Sequence, residues 1–319
     1  MLRLEVAGAQ RLAFAEGTLN NLRSQCKAFI LFCLAYDIPP FPASLDTILC
    51  YATFLSRSLT PASTRNYIGG VKLIHVLARW EFPHTQHIEF RLLSKGLAKQ
   101  NPHIQVHKLP ITPSILMDMF RVMNMSSSLH ITLWCSFVLV FSLFFRKDSL
   151  VPKSAAAFRS DKHLCRRDII LDSHQVLVYV KSSKTLQCRD RYLLIPLVEV
   201  PGSPLCPVSA VRTMFTTIPA NPVGPAFVVP GPQGLQTLTH YTFTKHLRSL
   251  LHQAGHNPSR YSGHSFRRGG ASFALASGVP GELIKTHGDW RSQAYLRYLD
   301  SSVQQRELVS RMMARACIR

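Results

Sequence analysis

Six side chains between residues 146 and 298 could act together on a phosphodiester. In "YSGHSFRRGG", residues 261–270, His264 stands three residues before Arg267, and Arg268 follows at once. Read as a helix, this stretch puts Phe266, Gly270 and Phe273 on one buried face. Arg268 then lies about 200° round from Phe266, turned out to solvent or a nucleic-acid backbone, and Arg267 lies about 100° round, at the edge of that face. At i, i+3, His264 and Arg267 border the same cleft. Arg146 leaves the C-terminal end of an apolar run, "ITLWCSFVLVFSLFF", where a buried element would hold its fork for a bidentate phosphate contact. Lys181 and Lys184 sit near the turn of a β-rich segment, and a lysine there can give a proton to a leaving oxygen. Trp290 follows a Gly-Asp turn and offers an indole donor, and Tyr295 and Tyr298 come soon after.

Singly, each residue has a plain structural reading: a cation answering a helix end, a turn lysine, a half-packed tyrosine. Together they suit one metal-free reaction. A tyrosine attacks a phosphodiester, the cations stabilise charge on its non-bridging oxygens, and the lysine protonates the departing hydroxyl. A two-metal nuclease needs an acidic cluster, and ATP use needs a GxxxxGK[ST] loop; neither is found, so no cofactor is expected.

Charge supports a polyanionic partner. Lys+Arg number 37 against 17 Asp+Glu in 319 residues, a formal net charge of +20, on a chain whose 46% hydrophobic content suits a packed core. Eight cysteines show no CxxC pair, which argues against a structural zinc site and fits free thiols in a reducing compartment. The N-terminus lacks a sustained apolar core before a cleavage site, so an intracellular protein is expected. The apolar run 131–145 falls short of the about 18 residues of a spanning candidate and reads as a buried core helix, so no membrane partner is expected.

The elements that must position these residues divide in two. Residues 1–105 read as helices: "TLNNLRSQCKAFILFCLAYD", "SLDTILCYATFLSRS" capped by Ser44, "TRNYIGGVKLIHVLARW" with Tyr67, Ile68, Val71, Ile74 and Leu77 on one side, and "IEFRLLSKGLAKQ". The proline-bearing "QNPHIQVHKLPITPS" marks a boundary, and residues 106–319 form the second domain. There a helix starts near Pro113, the apolar helix follows, and 175–197 reads as a β-hairpin and the one clear β-region. "PGSPLCP" and "NPVGPAFVVPGPQG" read as loops. "YTFTKHLRSLLHQAG" is a helix closed by Gly255, and the chain from His264 onward is mostly helical. The fold class is mainly α with a small antiparallel β-sheet.

The order Arg, Lys, His-x-x-Arg, His or Trp, then Tyr resembles the tyrosine recombinases (integrases). Here it is carried by Arg146, Lys184, His264-Ser265-Phe266-Arg267, Trp290 and Tyr298. The specific part is "HSFRRGGASFALASGVPGELIKTHGDWRSQAYLRY". The wording "KLPITP", "RKDSLVP" and "HGDWRSQAYLRYL" is most similar to recombinases of eukaryotic mobile elements of the DIRS, Ngaro or Crypton kind. The resemblance implies a helical core-binding domain over 1–105 and a catalytic domain of the DNA breaking-rejoining fold over 106–319. It implies double-stranded DNA as partner, a homo-tetramer on paired sites, and a nuclear location. Tyr298 would be the nucleophile, Arg146 and Arg267 the phosphate clamp, His264 and Trp290 its assistants, and Lys184 the acid, with Lys181 in reserve. Tyr298 stands eight residues after Trp290 where the family more usually shows nine, and Ser149 stands where many members carry an acid. A DNA-binding descendant without chemistry, and a basic RNA-binding protein, are the competing readings.

Overall fold

The computed structural model describes residues 2–82, 87–102, 108–181, 193–290, 292–293 and 296. The chain divides into two compact units, Met1–Val106 and His107–Arg319.

The first unit holds α1 (Leu2–Leu12), α2 (Glu16–Ala35), α3 (Leu45–Ser56), α4 (Pro61–Ala78) and α5 (Ile88–Gln100). Capping sets two starts. Ser44 Oγ accepts from Thr47 N–H at 3.1 Å, and Thr60 Oγ1 accepts from Ser63 N–H at 3.2 Å with Pro61 opening α4. The core gathers Phe29, Phe32, Ile48, Tyr51, Leu55, Ile68, Val71 and Phe90. The buried side of α4 runs Thr64, Ile68, Val71 and His75, not through the expected Ile74 and Leu77. A buried histidine displaces those aliphatics because both its nitrogens are used. Nδ1 donates to the Val71 carbonyl and Nε2 accepts from Ala43 N–H, each at 2.8 Å, leaving no buried polar atom of the ring unpaired.

The second unit begins with α6 (Pro113–Arg121), capped by Thr112, and α7 (Ser128–Ser142). Every residue of α7 from Ile131 to Phe141 is buried, as expected of a helix apolar on all sides. It packs on the other elements of this unit, and no helix among the described residues is long and apolar enough to cross a membrane. After the one-turn α8 (Lys147–Leu150), β1 (Ile169–Leu171), β2 (Gln175–Val180) and β3 (Leu193–Val198) form an antiparallel sheet in that order. Val178 sits across from Ile169 on one side and Ile195 on the other. Period-two burial of Val176, Val178 and Val180 turns one face of the sheet to the core. Then come α9 (Pro207–Thr217), a second hairpin of β4 (Val228–Gly231) and β5 (Gly234–Thr237), α10 (His240–Gln253), α11 (Gly263–Ala276) and α12 (Gly281–His287). Gly255, at φ +80°, closes α10 in the left-handed region.

Three sequence expectations need correction here. The segment 175–197 is not the one β-region, since β1 joins it and a second sheet, β4–β5, follows, with β4 inside the stretch 221–234 read as loop. Buried Val228 and Val229, with Thr132 donating to the Val228 carbonyl at 2.8 Å, hold β4 against α7. The apolar helix ends at Ser142 rather than at 145, because Phe144 adopts φ +52° and turns the chain before Arg146. Phe273 is 49% exposed, so the buried face of α11 runs through Phe266, Gly269, Gly270 and Ala271 instead.

Candidate active site

The left-handed turn at Phe144 and the first turn of α11 bring Arg146, His264 and Arg267 together. Phe144 points its ring against His287, 4.7 Å between centroids, and toward Trp290 at 6.5 Å. The chain then runs extended through Arg146, which precedes α8 as its cap residue. Among the described residues, nothing pairs with the half-buried Arg146 guanidinium.

Two devices fix α11. Ser262 and Ser265 cap its start reciprocally: Ser262 Oγ accepts from His264 N–H at 3.3 Å, and Ser262 N–H donates to Ser265 Oγ at 2.9 Å. Glycine then permits close approach. A Cβ on Gly269 would overlap the Ile111 carbonyl, and one on Gly270 the Phe141 carbonyl and the Phe144 ring. Phe266 stacks on Phe137 of α7, centroids 5.3 Å apart. With the helix held this way, His264 lies at the rim of the cleft and Arg267 is 3% exposed.

Arg267 is therefore buried, deeper than the edge position expected for it. Its Nη1 donates to the Phe144 carbonyl and its Nη2 to the Gly288 carbonyl at 2.8 Å. Its guanidinium carbon lies 3.6 Å from the centre of the Trp290 ring, a cation–π contact. One fork thus links the turn before Arg146 to the turn before Trp290. Gly288 leaves room for that indole, whose six-membered ring would collide with a Cβ there. Arg268, expected to face outward, is half-buried and donates to the Lys108 carbonyl at 3.1 Å. It ties down the segment 108–111, where Leu109 N–H also donates to the Arg260 carbonyl and Ile111 N–H to the Ser265 carbonyl.

Of the two candidate lysines, only Lys181 lies within the described residues. Lys181, at the end of β2, makes an ion pair with buried Asp168 at 2.5 Å and donates to the Ser160 carbonyl at 2.7 Å. It is occupied in structural bonds. Lys184, Tyr295 and Tyr298 lie outside the described residues.

Sequence reasoning missed His240 and His287. His240 Nε2 reaches Asp148 Oδ1 at 3.1 Å, and His287 Nε2 pairs with the Ser142 carbonyl at 2.9 Å. A lone histidine in a helix carries no pattern that marks it. Loss of water, and after it the positive charge of Arg146, holds the His264 imidazole below its ordinary pKa. Desolvation likewise holds His163, His240, His246 and His287 low. The unfolded chain binds protons that these folded histidines refuse. Their contribution to stability is therefore complete above about pH 6.5 and is lost as the pH falls below it. The thermal midpoint should drop between about pH 7.5 and about pH 5. A midpoint that stays level or rises over that range contradicts this account.

The cluster of Arg146, His264 and Arg267 can hold an anion with divergent oxygens. Among the described residues no group of three or more His, Cys, Asp or Glu could hold a metal.

No protein-family model matches the chain, and no curated protein matches it in sequence. Solved structures do. A Tn1549 transposon integrase in complex with circular intermediate DNA aligns over 85% of this chain and 86% of its own, at 14% identity and a TM-score of 0.54. The XerH site-specific recombinase bound to its difH substrate aligns over 84% of this chain and 71% of its own, at 15% identity and a TM-score of 0.52. Its post-cleavage complex gives the same score at 12% identity, over 84% and 69%. At such identities the likeness is one of fold, and the fold of this chain is that of the tyrosine recombinases.

Proposed function

We propose that the chain is a site-specific DNA recombinase that cuts and rejoins duplex DNA through a 3′-phosphotyrosyl intermediate. Tyr298 attacks the scissile phosphate and frees a 5′ hydroxyl, protonated by Lys184. A second DNA end then reverses the step, so the bond energy is kept and neither ATP nor metal is consumed. Arg146 and Arg267 clamp the phosphate, assisted by His264 and Trp290. The observation that carries this reading is the half-buried Arg146, unpaired among the described residues, beside His264 and buried Arg267, in a chain of this fold. We further propose a core-binding domain over 1–105, a catalytic domain over 106–319, assembly as a tetramer on paired sites, and integration or excision of a nuclear mobile element. The wording shared with eukaryotic element recombinases supports that last part. The engagement of Lys181 by Asp168 supports Lys184 as the acid.

A nicked duplex that lets the cleaved fragment diffuse away tests the chemistry. The wild-type chain should accumulate a denaturant-resistant protein–DNA adduct without metal or ATP. Salt-sensitive DNA binding with no adduct would instead leave a DNA-binding descendant of the same fold. Preference for RNA, indifferent to Arg146→Ala, would leave neither.

A further inference from the structure

Lys147 is the cation of this cluster that the reaction above does not use. It follows Arg146 and opens α8, and its side chain is 24% exposed. Its stem lies across Gly263, the residue before His264. A Cβ there would stand 2.7 Å from the lysine Cδ, 2.9 Å from Cγ and 3.1 Å from Cε. The absent side chain at Gly263 is what lets the stem lie flat and fixes the direction of its ammonium.

That ammonium is poorly neutralised. Among the described residues the closest carboxylate is Asp148, at 3.9 Å, and the same Oδ1 is held more closely by His240 at 3.1 Å. Its charge reaches His264, where it acts with Arg146 and Arg267 against the imidazolium, while Asp148 acts for it. Arg146, Lys147 and Arg267 thus all bear on His264, with one exposed carboxylate to answer them. An arrangement with such an excess of positive charge is completed by an anion carrying more than one oxygen.

Resting on the reading of the site given above, we infer that Lys147 is a further catalytic residue, whose ammonium contacts a non-bridging oxygen of the phosphate held by Arg146 and Arg267. A lysine serves there as a compact point charge, where the arginines supply geometry.

The experiment measures adduct formation on two nicked duplexes. One has an ordinary scissile phosphate, and the other a methylphosphonate, in which a neutral methyl replaces one non-bridging oxygen. Lys147→Met keeps the stem over Gly263 and removes the charge, and Lys147→Arg keeps the charge. On the ordinary duplex Lys147→Met should slow adduct formation by about 10²-fold, with Lys147→Arg retaining more of the rate. On the methylphosphonate, Lys147→Met should match wild-type protein. Equal rates for Lys147→Met and wild type on the ordinary duplex overturn the inference. So does an equal loss on both duplexes, which is what a disturbed fold would give. Absence of adduct from the wild-type chain itself removes the parent reading, and the inference with it.

Discussion

Replacing Arg267 by alanine is expected to lower DNA cleavage by about 10³-fold or more, and lysine is not expected to restore it. The guanidinium does two things at once. It is a buried positive charge beside the proposed phosphate position, and it is the tie between two turns. Its donors go to the carbonyls of Phe144, two residues before Arg146, and Gly288, two residues before Trp290, while its face lies on the Trp290 ring. Alanine leaves both carbonyls without that donor in a dry setting, at about 1–3 kcal/mol each. Lysine restores a charge, but it cannot fork to two carbonyls or stack flat on indole. The measurement pairs single-turnover cleavage with urea denaturation of the same proteins. Recovery of cleavage by Arg267→Lys would mean that charge alone matters and that the tie does not. Arg268→Ala is the contrasting variant. Its bond to the Lys108 carbonyl anchors the segment 108–111, so it should weaken DNA binding and local stability while sparing the chemical step.

Gly269→Ala should be the most damaging of the conservative changes. The new methyl would overlap the carbonyl oxygen of Ile111 and stand 2.7 Å from its carbon and 3.1 Å from its nitrogen. All three are backbone atoms, and Ile111 N–H is itself bonded to the Ser265 carbonyl at 2.9 Å, so that segment cannot simply step aside. Overpacking of this kind costs about 1–3 kcal/mol. Relief requires α11 to move away from Ile111, carrying His264 and Arg267 with it. A displacement near 1 Å can cost about 10²-fold in rate. The variant should therefore show a lower urea midpoint together with a loss of cleavage. Gly263→Ala meets only the flexible stem of Lys147 and should disturb the fold far less. A Gly269→Ala protein with an unchanged midpoint would show that the close approach is not needed.

How much of this was legible in the sequence follows from what each feature depends on. Local rules placed the Ser44 cap, the start of α6 at Pro113, the antiparallel β2–β3 pair and the Gly255 stop. The His264–Arg267 pair was legible because two residues three apart on a helix share a side wherever the helix packs. What failed depended on contacts distant in sequence. The turn at Phe144 is invisible in an unbroken apolar run, since a left-handed phenylalanine is held there by the glycine face of α11 and by His287. Strand β4 carries Pro230 and Gly231 in a stretch that reads as loop, and α7 supplies the partner that orders it. Arg267 was placed at an edge by helical geometry, but the acceptors that draw it inside come from residues 144 and 288. Two lysines near one turn look alike until Asp168, thirteen positions upstream of Lys181, claims the first of them.

The account rests above all on a tyrosine that becomes bonded to DNA. The direct test is to form the adduct on a nicked duplex, digest the protein, and identify by mass spectrometry the residue that carries the nucleotide. The account predicts Tyr298, with no adduct from Tyr298→Phe. Attachment at Tyr295, or a folded wild-type chain that binds duplex DNA and never becomes joined to it, would contradict it.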